Sequence, residues 1–184
     1  MNKMPPALAQ PRPGIAGSAD ALGRVWRFGD DVDTDAMAPG AYMQFGVDRI
    51  AQHCLSSLRP EFPVEVAIGD IVVGGSNFGM GSSREQAPQA LVRLGVRAVV
   101  AVSFAGLFYR NALNVGLAAV ECPRAKEIAD GVRARIDLAA GHFEIPATGV
   151  TLPCEPIPAF LLELLNDGGL IPNLRRRLRN GAFS

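Results

Sequence analysis

The chain has 184 residues, a length that suits one domain with or without tails, and 48% of them are hydrophobic, enough for a sizeable core. Its 18 Lys and Arg balance its 18 Asp and Glu, so the sequence has no basic excess of the kind that nucleic-acid binding needs. No apolar segment reaches the ~18 residues of a membrane-spanning helix, and residues 1–17 lack the apolar centre of a signal peptide. We expect a cytoplasmic protein with a disordered N-terminal tail at 1–22 and one domain at 23–184.

The three cysteines are Cys54, Cys122 and Cys154, an odd number with wide spacing. They contain no CxxC pattern, so the sequence indicates neither a disulfide framework nor a local metal site. We interpret them as buried, inert thiols in a reducing cytoplasm, and we predict no metal ligand in this chain.

The domain begins with a predicted strand and an acidic loop. Residues 23–28 alternate polar and apolar side chains, as a strand does. The next loop carries four acids between residues 30 and 35, and such crowding is expected to raise their pKa values. It is not a calcium loop, because Ala36 and Tyr42 stand where an EF-hand needs glycine and a bidentate Glu. A surface turn and a polar site both remain open as interpretations.

The next elements before the central motif are a helix that reaches about Ser57 and a loop around Pro60 and Pro63. A buried strand is then predicted at 68–75.

A glycine-rich turn follows that strand. Residues 77–88 read Asn-Phe-Gly-Met-Gly-Ser-Ser-Arg-Glu-Gln-Ala-Pro and lead into a helix. Glycine allows the backbone to approach a ligand closely, and helix-start amides and a guanidinium both bind anions. Ser82, Ser83 and Arg84 lie at this turn. The pattern therefore predicts an anionic substrate bound at a polar catalytic turn.

The start of the following helix has two interpretations. Ser83 and Gln86 have the spacing of a capping box. Pro88, however, is tolerated only in the first turn of a helix. Either the first turn is irregular, or the regular helix begins near Gln86.

The second half of the domain alternates strands and helices. The predicted elements are a buried strand at 96–102, a helix at 103–114 with Ser103 as its N-cap, a strand at 117–120, a helix at 126–132, a hairpin of 134–138 and 142–145, and a final helix at 158–166. The basic run at 175–179 is interpreted as a solvated helix end. This order predicts a layered α/β domain with a mixed, partly parallel sheet or a second small sheet.

Three segments resemble one family in the same order along the chain. They are Gly-Asp-Asp-Val-Asp-Thr-Asp at 29–35, the turn at 77–88, and Ser-Phe-Ala-Gly-Leu-Phe-Tyr-Arg-Asn at 103–111. Together they closely resemble the aconitase swivel domain, in particular the separate small subunits of 3-isopropylmalate dehydratase and homoaconitase in their short, archaeal-type form. The similarity covers residues 23–170. It implies a layered β/β/α swivelling fold.

The resemblance also implies a division of labour between two chains. A large partner subunit would carry a 4Fe-4S cluster and most catalytic acids and histidines, and the iron would act as a Lewis acid on the leaving hydroxyl. The reaction would isomerise a 2-hydroxy acid by dehydration and rehydration. In this chain Ser82 would be the base, Arg84 would bind a substrate carboxylate, Ser83 would cap the helix and donate a hydrogen bond to substrate, and Asp35 would lie near the active site.

Substrate choice is the feature that the resemblance leaves open. In this family the loop after the tyrosine, here Tyr42 to Phe45, meets the side group of the substrate. Gln44 cannot supply the charge-assisted pair that a third carboxylate needs, which favours isopropylmalate. The alternatives are homoaconitate or dimethylmalate as substrate, a Gln44 that faces solvent, and, from another class, a non-catalytic anion-binding module.

Overall fold

One seven-stranded sheet organises residues 21–181, the part of the chain that the computed structural model describes. Residues 1–20 of the predicted tail lie outside it. The strands are β1 (Gly23–Arg27), β2 (Ile71–Val73), β3 (Ala98–Ala101), β4 (Ala118–Glu121), β5 (Arg133–Asp137), β6 (His142–Ile145) and β7 (Val150–Pro153). Their spatial order is β4-β3-β2-β1-β5-β6-β7. The first four strands are parallel, and the rest add as antiparallel neighbours, so the predicted mixed sheet is confirmed.

The helices differ in the face of the sheet that they cover. They are α1 (Thr34–Met37), α2 (Val47–Ala51), α3 (Phe62–Glu65), α4 (Gln86–Arg93), α5 (Gly106–Asn114), α6 (Ala159–Asn166) and α7 (Leu170–Arg179). Side chains from α1 to α5 pack on one face around Trp26 and Val72. On the other face, Val25 and Val73 pack against α6 and against β6 and β7. The fold is therefore layered β/β/α, as expected.

The two cores follow from the alternation of side chains along each parallel strand. Val25 and Trp26 are adjacent and fully buried, yet they belong to opposite cores. Strands that are buried on both faces read as continuous apolar runs, which is why β2 and β3 could be recognised from sequence.

Two predicted elements near the start of the domain are wrong in extent. The helix expected after Phe45 and through about Ser57 is only the short α2, and the chain then turns through Leu55 at φ 58°. The residues before it form a 3-10 helix, Gly40–Phe45. The loop expected around Pro63 contains α3, with this proline in its first turn, where no N–H is needed.

The helix predicted at 126–132 is also wrong. Only the 3-10 turn Ala125–Glu127 forms there. The residues after it run beside β1 instead: Gly131 N donates to Val25 O over 2.9 Å, and Val25 N donates to Val132 O over 2.8 Å. Pairing with a distant strand thus overrides the local helical pattern.

Two elements were missed in the C-terminal part. β7 extends the hairpin of β5 and β6 by pairing Val150–Pro153 with β6. α7 extends the basic run at 175–179 into a ten-residue helix. No helix among residues 21–181 is long and apolar enough to cross a membrane.

Asp70 anchors the start of the parallel sheet. Its side chain is 2% exposed and lies at the start of β2. Its carboxylate accepts three hydrogen bonds, each of 2.9 Å, from Arg24 N, Trp26 Nε1 and Ala67 N. One buried anion therefore joins β1, the segment after α3 and the largest core side chain.

Replacing Asp70 by Ala should lower the free energy of unfolding by about 3 kcal/mol, because one buried and two partly buried donors lose their acceptor. Asp137→Ala is the matched control, since this exposed carboxylate accepts from Ala139 N and Ala140 N in a turn. It should cost about 0.5–1 kcal/mol. Urea unfolding followed by circular dichroism measures both. Equal losses for the two variants would contradict the anchoring role.

Candidate active site

The candidate site forms where two parallel strands end and their loops continue side by side. Beyond β1 and β2, Gly79 N donates to Val32 O over 2.8 Å, and Thr34 N donates to Met80 O over 2.8 Å. An isolated parallel bridge pairs Asp33 with Met80. The acidic loop is thereby fixed against the glycine-rich turn at the carboxyl edge of the sheet, where α/β folds commonly bind ligands.

The third segment of the resemblance joins the same edge. Phe78 N donates to Ser103 O over 3.0 Å, and Ala105 N donates to Phe78 O over 2.9 Å. Ser103 Oγ accepts a 2.9 Å hydrogen bond from Asn77 N. Ser103 was predicted to cap the next helix, but α5 begins at Gly106 after Ala105, and Ser103 holds the glycine-rich turn instead.

Two glycines are required by this close approach. Gly79 has φ +80°, and a Cβ there would lie 2.2 Å from Cγ of Phe108. Gly81 has φ +96°, and a Cβ there would lie 2.6 Å from Asp33 Oδ1 and 3.0 Å from Thr34 Oγ1. A side chain at Gly79 would push the turn away from α5, and one at Gly81 would push it away from the acidic loop.

The four carboxylates of the acidic loop are not clustered together, because each of them interacts with a different partner. Asp30 accepts from Ser76 N over 2.6 Å and pairs with Lys126 over 2.9 Å. The hydrogen bond from Lys126, followed by the one from Ser76, lowers the pKa of Asp30. Asp31 accepts from Asn77 Nδ2 over 2.9 Å. The expectation that crowding raises these pKa values is therefore wrong for Asp30.

The remaining two acids act on the turn itself. Asp33 is the N-cap of α1, and its Oδ1 accepts from Asp35 N over 2.7 Å. The cap directs the Asp35 carboxylate to Nη1 of Arg84 in an ion pair. Arg84 Nη1 also donates to Ala38 O over 2.9 Å. The guanidinium is thus oriented by the acidic loop and by the end of α1.

Ser82 and Ser83 lie at the exposed tip of the turn. Ser82 O accepts from Thr34 Oγ1 over 3.1 Å and from Arg84 N over 2.8 Å, so its backbone is fixed while its side chain faces solvent. Within residues 21–181, the amides of Gly81, Ser82 and Ser83 donate no hydrogen bond, whereas Gly79 N is occupied by Val32 O. Three free amides, two hydroxyls and one guanidinium make an arrangement suited to an anion.

The start of the helix after the turn distinguishes the two interpretations of this segment. α4 begins at Gln86 with Glu85 as its N-cap, and no side chain caps it. The capping role predicted for Ser83 is therefore wrong, because Arg84 still belongs to the turn and the helix starts beyond it.

Gln44 is not joined to the turn. It is exposed in the 3-10 helix Gly40–Phe45, and no hydrogen bond among residues 21–181 connects it with Ser82, Ser83 or Arg84. Its neighbour Tyr42 stacks on His53 with ring centroids 3.7 Å apart and planes at 3°. Burial lowers the pKa of His53, which keeps its ring neutral beneath the tyrosine. The stack fixes the loop at Tyr42 and leaves Gln44 accessible.

Sequence reasoning missed the residues that shape the turn from behind. The Asp33-Thr34 pair could have been recognised from the sequence as a helix start, since Asp is a strongly preferred N-cap. Asp31 and Asn77 have φ of 53° and 57° and hydrogen-bond each other. Asn and Asp tolerate this left-handed region best, but their pairing across the sheet edge has no local signature.

Comparison with known proteins identifies a family. The Aconitase C-terminal domain family matches residues 63–125. A 3-isopropylmalate dehydratase small subunit of Methanosarcina acetivorans is 46% identical over 84% of this chain and 96% of its own length. A methanogen homoaconitase small subunit of Methanothermobacter thermautotrophicus is 47% identical over 86% of this chain and 93% of its own length.

The fold agrees with that assignment. A crystal structure of 3-isopropylmalate dehydratase from Methanocaldococcus jannaschii superposes with a TM-score of 0.82 and is 42% identical, covering 88% of this chain and 96% of that one. An isopropylmalate/citramalate isomerase small subunit of the same organism is 44% identical over 85% of this chain and 94% of its own length. The chain therefore belongs to the family of aconitase-type 3-isopropylmalate dehydratase small subunits.

Proposed function

We propose that this chain is the small subunit of a heteromeric hydro-lyase that interconverts 2-isopropylmalate and 3-isopropylmalate, a step of leucine biosynthesis. Its partner is a large subunit that carries a 4Fe-4S cluster. The observation that supports the proposal most directly is the exposed turn of Ser82, Ser83 and Arg84, held rigidly from behind and open in front. A site of this shape needs a second surface to exclude water.

Ser82 is the proposed base of the reaction. Its hydroxyl, once deprotonated, removes a proton from the carbon next to the one that loses hydroxide, and it returns that proton on rehydration. A serine has an ordinary pKa too high for this task, so its alkoxide needs stabilisation. The free amides of Gly81, Ser82 and Ser83 are the donors available for it.

Arg84 is the proposed binder of a substrate carboxylate. Nη1 is occupied by Asp35 and Ala38 O, which leaves the other guanidinium nitrogens for substrate. The Asp35 side chain is 63% exposed, and an exposed ion pair is worth about 0–1 kcal/mol. We assign Asp35 to positioning Arg84, and we assign Ser83 to a hydrogen bond with the same substrate. A substrate carboxylate can join the guanidinium without a large energetic cost.

The cluster does not fit the cysteines of this chain. Cys54 lies in one core cluster, Cys122 and Cys154 lie in the other, and all three are buried. Among residues 21–181, no group of three Cys, His, Asp or Glu side chains is arranged to hold a metal ion. We therefore assign the cluster to the large subunit.

Substrate choice is assigned to the 3-10 helix that contains Gln44. Gln44 is neutral, and Phe45 beside it is 61% exposed. An exposed aromatic ring next to an amide suits an alkyl side group better than a third carboxylate. Homoaconitate chemistry is the second candidate, because a homoaconitase small subunit is among the relatives at 47% identity.

The function is tested by co-expression with the large subunit, anaerobic reconstitution of the cluster, and assay of a panel of acids. The panel contains 2-isopropylmalate, citramalate, dimethylmalate and homocitrate. We expect the highest kcat/KM with 2-isopropylmalate. A higher kcat/KM with homocitrate than with 2-isopropylmalate would replace the isopropylmalate assignment by homoaconitate chemistry. If a folded, cluster-loaded complex turned over none of these acids, the result would favour a non-catalytic anion-binding module.

Ser82→Ala should lower kcat by about 10²–10⁴-fold, the usual contribution of a positioned general base. Ser57→Ala is a matched control, since this serine is also exposed but lies before α3. Steady-state rates of the reconstituted complex measure both. A Ser82→Ala enzyme with wild-type kcat would remove the proton-transfer role from this residue.

Arg84→Lys should raise KM by about 10–100-fold, because a single ammonium cannot hold Asp35, Ala38 O and a substrate carboxylate together. Arg124→Lys is the control, since Arg124 pairs with Glu127 in an exposed turn. Initial rates over a range of substrate concentrations separate KM from kcat. An unchanged KM in Arg84→Lys would show that the substrate carboxylate binds elsewhere.

A further inference from the structure

Cys122 and Cys154 lie together where the two edges of the sheet meet. β4 and β7 are its outermost strands, and each of these cysteines directly follows one of them. The sheet curls so far that Glu155 N donates to Glu121 O over 2.8 Å. The two edges are thus joined by a backbone hydrogen bond one residue from each thiol.

The two cysteines are neighbours across the joined edges. Cys122 Sγ donates to the carbonyl of Pro153, the residue before Cys154, over 3.6 Å, and Cys154 Sγ donates to Leu152 O over 3.8 Å. Both cysteines are free. Their wide separation in sequence gave no sign of this pairing. Cys122 is as fully buried as Cys54, but Cys54 lies in the other core cluster, apart from both other cysteines, and burial raises its pKa.

We propose that Cys122 and Cys154 form a redox-active dithiol, which closes to an intramolecular disulfide by exchange with a low-molecular-weight disulfide. The site is independent of the turn at Ser82. It lies where a covalent bond would join the two open edges of the curled sheet.

The chemistry proceeds in two balanced exchanges. Cys122 loses its proton and, once the segment after β7 opens locally, attacks a small disulfide, forming a mixed disulfide and releasing one small thiolate. Cys154 then loses its proton, attacks the Cys122 sulfur and displaces the second small thiolate. Two protein thiols are oxidised, one small disulfide is reduced to two thiols, and the released protons go to solvent.

The environment supports Cys122 as the attacking group in the first exchange, while Cys154 is still a thiol that can donate to it. The contact with Cys122, followed by burial, raises the pKa of Cys154. The hydrogen bond from Cys154, and to a lesser degree the backbone and charge of Arg124, lower the pKa of Cys122 to about 7. Thiols with pKa values near ambient pH attack most effectively. The first exchange needs only local opening of the segment after β7, which lies at a sheet edge.

In the test, the reduced full-length chain is equilibrated with defined ratios of oxidised to reduced glutathione. The exchange is then quenched by alkylation, and the intact mass is measured by mass spectrometry. We expect a monomer that is lighter by two hydrogens before alkylation and keeps one alkylatable thiol, with Cys122 and Cys154 linked in the peptide map. Its thermal midpoint should rise by about 10 °C, because the bond closes a long loop between two edges.

Three variants decide the order of events. Cys54→Ser is the matched control and should close its disulfide as the wild type does. Cys154→Ser should stop at a glutathione adduct on Cys122, and Cys122→Ser should form no internal bond. A wild-type chain that keeps three alkylatable thiols under the most oxidising ratio would overturn the proposal. A disulfide between chains, or one that involves Cys54, would overturn it equally.

Discussion

The structure depends on the continuation of backbone pairing beyond the ends of β1 and β2. The strands stop, yet the loops at 32–34 and 79–80 remain hydrogen-bonded as if the sheet went on. This contact is possible because Gly79 and Gly81 have positive φ and leave no room for a Cβ. Everything polar at the edge of the sheet follows from it: the Asp33 cap fixes Asp35, and Asp35 orients the guanidinium of Arg84.

The site is strongly supported behind and open in front. Thr34 Oγ1 donates to the carbonyl of Ser82, so the turn is held through its backbone. Among residues 21–181, the Ser82 hydroxyl and the amides of residues 81–83 have no hydrogen-bond partner. A hydrogen-bond donor without a protein partner costs little free energy in water, but it costs much more once it is buried, unless an anion accepts its hydrogen bond. A substrate dianion brought by another protein surface would satisfy them, which is the physical reason for a catalytic site divided between two chains.

The sequence was sufficient where the signal was local. The apolar runs predicted β2 and β3, the proline gave a start of α4 near Gln86 as one of two interpretations, and the glycine-serine-arginine run predicted the polar turn. The sequence was insufficient where contacts between segments far apart along the chain determine the local structure. The residues near Gly131 pair with β1 instead of forming a helix, Ser103 holds Asn77 instead of capping α5, and Cys122 meets Cys154 only because the sheet curls. None of these contacts has a local pattern.

The central claim is that the turn is one half of a site that another chain covers. Hydrogen–deuterium exchange of this chain, alone and with a cluster-loaded large subunit plus substrate, tests that claim most directly. Within residues 21–181 the amides of residues 81–83 donate no hydrogen bond, so their exchange should be fast in the isolated chain and markedly slower in the complex. Protection confined to other surfaces, with residues 81–83 exchanging as fast as before, would contradict the account.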